Sequence, residues 1–227
     1  MLLDSLPDLV LAVGALGTAS YGLVDVSRAF GGGVSNYGFA RIAAVVRKLY
    51  PTRPEPLSQS DVLDALRSSW FNGKPMADQI AQAHALIRLG LDPVGAPALA
   101  ATTGLDSALL SALAGKLVQG VPLDDADRAL LDRFDQIVGA RLDGAYQHAD
   151  QSYRNAAKAW AVVVSLTLAL AGGWLLPHEG NYLGSTQFLQ AVLAGLLAAP
   201  LAPVSKDLAN AIGAFSRAVR PSPARPD

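Results

Sequence analysis

The sequence predicts an all-α integral membrane protein, with three transmembrane helices and a helical cytoplasmic insert whose last helix continues into the second span. Three observations carry this expectation. Only 16% of the 227 residues are charged while 51% are hydrophobic, against roughly 25% charge in an ordinary soluble domain. Three apolar stretches, Leu9 to Val26, Ala159 to Pro177 and Gly184 to Val204, approach the roughly 20 helical residues that cross a hydrocarbon core. Between them the apolar residues recur at helical spacing, broken by Gly and Pro stop signals, and no strand-like alternation is present.

The first span, within a segment of residues 1–30, carries Asp25 near one end, where a carboxylate can reach water or pair with Arg28. No Lys or Arg precedes Arg28, and Asp4 and Asp8 stand where a cleaved signal peptide would be cationic, so the helix reads as retained. Residues 31–56 open with Gly31, Gly32 and Gly33, a hinge, and close with Pro51, Pro54 and Pro56, a stiff linker. Between them Phe39, Ile42, Val46 and Leu49 form an apolar stripe beside Arg41 and Lys48. That helix either lies on an anionic membrane surface or packs on the core of the insert.

Residues 57–158 read as a cytoplasmic helical domain with a stalk. Ser58 to Asp61 resembles a capping box for a helix ending at Asn72 and Gly73. Pro75 opens a second helix closed by Gly90, Asp92 with Pro93 begins a short third, and Asp106 caps a fourth that Gly120 and Pro122 end. From Asp124 the pattern runs without Pro to Pro177, so one helix joins the insert to span two, with some 50 Å of it outside the membrane at 1.5 Å per residue. Its stripe of Leu131, Phe134, Val138, Leu142, Ala145 and Ala149 needs a cover, which either the short helices or a second copy of the chain would supply.

Residues 159–205 hold spans two and three. Pro200 and Pro203 each remove a backbone donor, predicting a break near the end of span three. In 206–227 the run Leu208, Ile212, Phe215 and Val219 predicts an amphipathic tail helix that turns along the membrane surface or docks on the stalk. Arg28, Arg41, Arg47, Lys48 and Arg53 follow span one, Arg154 and Lys158 precede span two, and Lys206, Arg217, Arg220 and Arg225 follow span three, whereas His178 to Leu183 has neither Lys nor Arg. The positive-inside rule then places the N-terminus outside and both the insert and the C-terminus in the cytoplasm. Arg outnumbering Lys among many Ala residues suggests a GC-rich bacterial genome, hence a bacterial inner membrane.

The residues name no chemistry. The chain has no Cys, which excludes disulfides and thiolate sites, and a net charge of -1 argues against a nucleic-acid partner. His84, His148 and His178 are scattered, without metal-ligand spacing. Asp124, Asp125 and Asp127 suit the positive end of a helix dipole better than a cation site. No phosphate loop, nucleophile elbow or zinc-protease motif is present, so no catalytic, cofactor or metal residue is assigned. Thr18 and Gly22, Ala169 and Gly173, and Ala191, Gly195 and Ala199 follow the small-xxx-small spacing that brings membrane helices together. These features favour a non-enzymatic membrane anchor or assembly component, whose partners are the lipid bilayer and either another protein or further copies of itself. An oligomeric channel or transporter with Asp25 and the Pro200 to Pro203 break along its path is the alternative.

Overall fold

The computed structural model describes residues 2–50, 57–177 and 181–219, and among them it is entirely helical. In chain order the helices are α1 (Leu2–Val26), α2 (Ser35–Leu49), α3 (Gln59–Phe71), α4 (Met76–Leu89), α5 (Ala96–Thr103), α6 (Ser107–Gln119), α7 (Asp125–Leu175), α8 (Thr186–Leu201) and α9 (Ser205–Val219). The chain forms two compact units, Ser35–Arg154 and Met1–Val34 with Asn155–Asp227, and α7 belongs to both.

The Ser35–Arg154 unit is built as a water-soluble domain is built. The Ser58 hydroxyl accepts from the Asp61 N–H at 3.1 Å while the Asp61 carboxylate accepts from the Ser58 N–H at 3.0 Å, so the capping box satisfies two donors that the first turn of α3 would otherwise leave open. Asp106 accepts from Leu109 N–H at 2.9 Å to start α6, and Gly120, at φ +66°, ends it. The start expected at Asp92 is displaced. Its carboxylate accepts from the N–H groups of Val94 and Gly95, and this side-chain turn competes with helix, so α5 begins only at Ala96.

Large apolar side chains fill the middle of this unit. Ile42, Val46 and Leu49 of α2, Leu66 of α3, Ile87 of α4 and Leu110 and Leu113 of α6 are fully buried together with Phe134, Val138, Leu142 and Tyr146 of α7. The stripe along α7 is therefore covered by the short helices of its own chain, and α2 buries its apolar face in the same core instead of holding it free for a membrane surface. Trp70 pins the packing. Its indole N–H donates to the Ser35 carbonyl at 3.0 Å, and its ring lies against Tyr146 and Tyr153. Gly38 is needed there, because a Cβ at that position would stand 2.8 Å from the carbonyl oxygen of Ala149.

In the other unit α1 packs against α8 and α9, and α8 packs against α7 through Gly195, where a Cβ would stand 2.6 Å from the Cα of Leu166. Among the described residues two helices, α1 and α7, are long and apolar enough to cross a membrane; α8 is apolar but has 16 residues. The segment expected as one helix from Gly184 to Val204 is thus shorter, starting after a 3-10 turn at Tyr182–Gly184 and ending at Leu201. Pro200 lies inside α8; the break falls one turn later, where Ala202, Pro203 and Val204 form the turn that separates α8 from α9. The tail helix α9 packs on α1. After α1, Gly31, Gly32 and Gly33 all take positive φ, a region open to glycine at little cost, and turn the chain so tightly that a Cβ on Gly33 would meet the backbone of Ser27.

Candidate functional site

The polar clusters are structural in their geometry. Asp124 and Asp127 cap the start of α7 reciprocally, Asp127 N–H donating to the Asp124 carboxylate at 2.8 Å and Asp124 N–H to the Asp127 carboxylate at 3.2 Å. The Asp127 N–H, more than the Lys116 ammonium beside it, holds Asp124 below the usual carboxylate range. The hydrogen bond to Asp127 in turn raises Lys116, while Asp125 pairs with Arg128 at 2.9 Å. The three carboxylates are thus engaged with the helix end and two cations.

His84 Nε2 lies 3.3 Å from the backbone carbonyl of Asp135 and 3.5 Å from its carboxylate, whose other oxygen is 3.3 Å from Arg88. This cluster ties α4 to α7 and was not foreseen, since no periodic signal connects residues 51 apart. His148 is exposed and elsewhere on α7; His178 lies outside the described residues. Among the described residues no three His, Asp or Glu side chains are placed to hold a metal ion. An open groove of about 670 Å³ runs along α4 past Met76, Ile80, His84 and Arg88 to Asp143.

The feature that stands out is a surface. In the Met1–Val34 and Asn155–Asp227 unit most buried side chains are small: Gly14, Gly17 and Ser20 on α1, Ala161 and Ser165 on α7, and Ala191, Gly195, Ala198 and Ala199 on α8, with Val24, Val34 and Tyr182 the larger ones. The large apolar side chains point outward, with Leu9 60%, Leu193 51%, Trp174 69% and Leu175 86% exposed. Only 22% of the apolar window of α1 and 11% of that of α7 is buried. Polar groups in the interior are satisfied by backbone, as the Ser165 hydroxyl donates to the Gly195 carbonyl of α8 at 2.7 Å and Ser20 to Leu16 within α1 at 2.8 Å.

The small-residue pairs of α7 and α8 meet as their spacing predicts, Gly195 against Leu166 and Ala169, and Gly173 against Ala191 and the Tyr182 hydroxyl. On α1 the contact uses a different pair. Gly14 faces Ser205 and Gly17 faces Ala198 and Ala202, while Thr18 is exposed and a Cβ on Gly22 would meet nothing within 4 Å. Asp25 sits at the end of α1, its exposed carboxylate 3.1 Å from Arg28. Trp174 stacks on Tyr182, which meets Phe188 edge-on with centroids 5.6 Å apart, so an aromatic cluster closes the turn between α7 and α8.

No known family model, no curated protein and no solved structure matches this chain.

Proposed function

We propose that this chain is a non-enzymatic membrane anchor or assembly component: α1, the apolar end of α7 and α8 cross a bacterial inner membrane, and residues 35–154 form a cytoplasmic helical domain offered to a protein partner or to further copies of the chain. One observation carries the reading, the inverted distribution of side chains in the unit that contains α1 and α8. In water, an exposed face of Leu, Val and Trp forgoes roughly 1 kcal/mol for each half-exposed side chain, so a face of this kind rivals the whole margin of roughly 5–15 kcal/mol that keeps a domain folded. In lipid the same face costs nothing, and helices associate through small residues that let backbones approach. The ordinary core of the Ser35–Arg154 unit, large side chains in and polar ones out, suits water.

Charge supports the direction. The chain from Arg28 to Arg53 and from Arg154 to Lys158 is basic, and the turn between α7 and α8 holds no Lys or Arg, so the positive-inside rule puts residues 35–154 and the C-terminus in the cytoplasm and the start of α1 outside. Asp25, paired with Arg28 at the helix end, fits the cytoplasmic interface. Reporter fusions of the full chain near Pro54, Gly180 and Pro223 test this and should read inside, outside and inside. An outside reading at Pro54 would overturn the charge argument, and release of the protein from membranes by alkaline carbonate would overturn the anchor itself.

A further inference from the structure

Helix α2 buries its apolar face in the core of the Ser35–Arg154 unit, and what it leaves outside is a face of one charge. Its exposed residues are Tyr37, Ala40, Arg41, Ala44, Arg47 and Lys48; at about 100° per residue they fall within an arc of roughly 120°. No Asp or Glu occurs in Ser35–Leu49. The ion pairs among the described residues include none of Arg41, Arg47 and Lys48. Nor do the flanking helices bring a carboxylate to α2 among the described residues. Gln59 and Trp70 of α3 donate to the carbonyls of Arg47 and Ser35, Arg67 of α3 donates to the Asn36 side chain, and Thr102 of α5 donates to the Lys48 carbonyl.

The rest of the domain has the opposite sign. Residues 57–154 carry eight Lys or Arg against twelve Asp and no Glu, so a negatively charged plane repels that part as a whole and attracts α2. On α7 the signs are mixed, Asp125 pairing with Arg128 and Asp150 with Arg154. Excluding carboxylates gives no advantage to a face opposed only by water, whereas against an anionic plane each unopposed cation adds attraction. Only eight residues, 27–34, join the end of α1 to the start of α2, so on the membrane reading α2 is tethered beside the cytoplasmic leaflet. That leaflet is anionic and attracts basic segments within a Debye length, about 8 Å at physiological salt. Between the cations, the small side chains of Ala40 and Ala44 let the face lie close to a plane, and Tyr37 is of a residue type enriched at headgroup depth.

We propose that the exposed face of α2, through Arg41, Arg47 and Lys48, rests on anionic phospholipid headgroups and so fixes which side of the Ser35–Arg154 domain is held against the membrane. The inference rests on the membrane reading above and adds to it the class of lipid that this face takes. The chain has no Cys, so Ala44→Cys gives full-length protein a single site for a nitroxide label. The labelled protein is placed in nanodiscs of phosphatidylcholine with or without phosphatidylglycerol, and collisions with a neutral, water-soluble nickel chelate report how far the label faces water. Phosphatidylglycerol should lower that accessibility at least twofold at low salt, and high salt should restore it. The triple variant Arg41→Gln, Arg47→Gln, Lys48→Gln should lose the response, while Arg41→Lys with Arg47→Lys, which keeps the charge, should retain it. Equal accessibility in the two lipids, a response that survives in the triple variant, or one lost in the charge-conserving pair would overturn the proposal. So would an equal fall for a label at Ala108, exposed on α6, since the whole domain and not α2 would then be responding. Flotation with vesicles of phosphatidylcholine alone tests the membrane reading separately: protein that fails to float overturns that reading, whereas protein that floats with an unresponsive Ala44 label overturns only the docking of α2.

Discussion

Replacing Gly195 by Ala should separate α7 from α8, and the cost follows from distances. The added Cβ would stand 2.6 Å from the Cα of Leu166 and 3.2 Å from the Cβ of Ala169, whereas carbon atoms rest at roughly 3.5–4.0 Å. Because a Cα cannot swing aside as a side-chain tip can, the helices must part by about 1 Å, and overpacking of this kind costs about 1–3 kcal/mol. The same movement stretches the Ser165 hydroxyl bond to the Gly195 carbonyl from 2.7 Å beyond useful range, losing about 0.6 kcal/mol more on the scale measured for interhelical bonds in membranes. The sum is about 2–4 kcal/mol. Gly22→Ala is the matched comparison: with nothing within 4 Å of its Cβ, it should cost nothing and gain up to about 1 kcal/mol of helix propensity. Unfolding of the purified protein in mixed micelles by increasing sodium dodecyl sulfate, followed by circular dichroism, measures both. Ser165→Ala completes a cycle in which the two α7–α8 changes should be less than additive, since each removes the same hydrogen bond. An unchanged midpoint for Gly195→Ala, or an equal loss for Gly22→Ala, would refute the packing argument.

Burial pushes the Tyr146 phenol up to about 12, while in the unfolded chain it ionises near 10. Below the unfolded value both states keep the proton and stability is unaffected; between the two values only the unfolded state loses it, so stability falls as pH rises through this window. Tyr146→Phe should flatten that fall, and phenolate absorbance should show one of the six tyrosines ionising last. Phe134→Ala removes a fully buried ring and should cost about 3–5 kcal/mol in the urea stability of the Ser35–Arg154 unit, with the fraction of protein in membranes unchanged. Leu175→Ala, at 86% exposed, should leave that stability unmoved.

What could be read in the sequence was what chemistry writes locally. Ser58 with Asp61, Asp106 and Gly120 act within three or four residues of themselves, so their side chains and φ preferences announce the helix ends directly. The stripe from Leu131 to Ala149 was legible as a buried face because a 3.6-residue period has one meaning once the segment is known to be helical. Where several registers satisfied the same composition, the sequence could not choose. Small residues occur on α1 at Gly14, Gly17, Thr18 and Gly22, and only the approach of α8 and α9 selects the first two. The tie of His84 and Arg88 to Asp135 depends on packing between α4 and α7, and the delayed start of α5 on a turn that the Asp92 carboxylate forms before the helix can.

The strongest evidence for two environments lies within α7, because a single helix obeys two opposite rules. From Phe134 to Ala149 its large residues are inside, with Phe134, Val138, Leu142 and Tyr146 fully buried. From Trp160 to Leu175 the residues that are fully buried are small, Ala161 and Ser165, while Trp160, Val163, Leu168 and Trp174 are exposed. Backbone geometry and helix propensity are shared by both halves, so neither explains the reversal. On the membrane reading proposed above the surrounding medium does: water drives large apolar groups inward at about 25 cal/mol per Å², whereas lipid exerts no such force and leaves close backbone packing to decide what lies inside. The change of rule falls between Tyr153 and Trp160, and there the chain carries its last cations before the apolar run, Arg154, paired with Asp150 at 2.8 Å, and Lys158. Size, charge and exposure thus change at one place along one helix. If that place is the membrane surface, moving Lys158 four residues towards the C-terminus, by Lys158→Ala with Val162→Lys, should shorten the apolar run by about 6 Å and weaken retention in membranes. Substituting Lys158 by Ala alone should not, and equal retention of the two variants would place the boundary elsewhere.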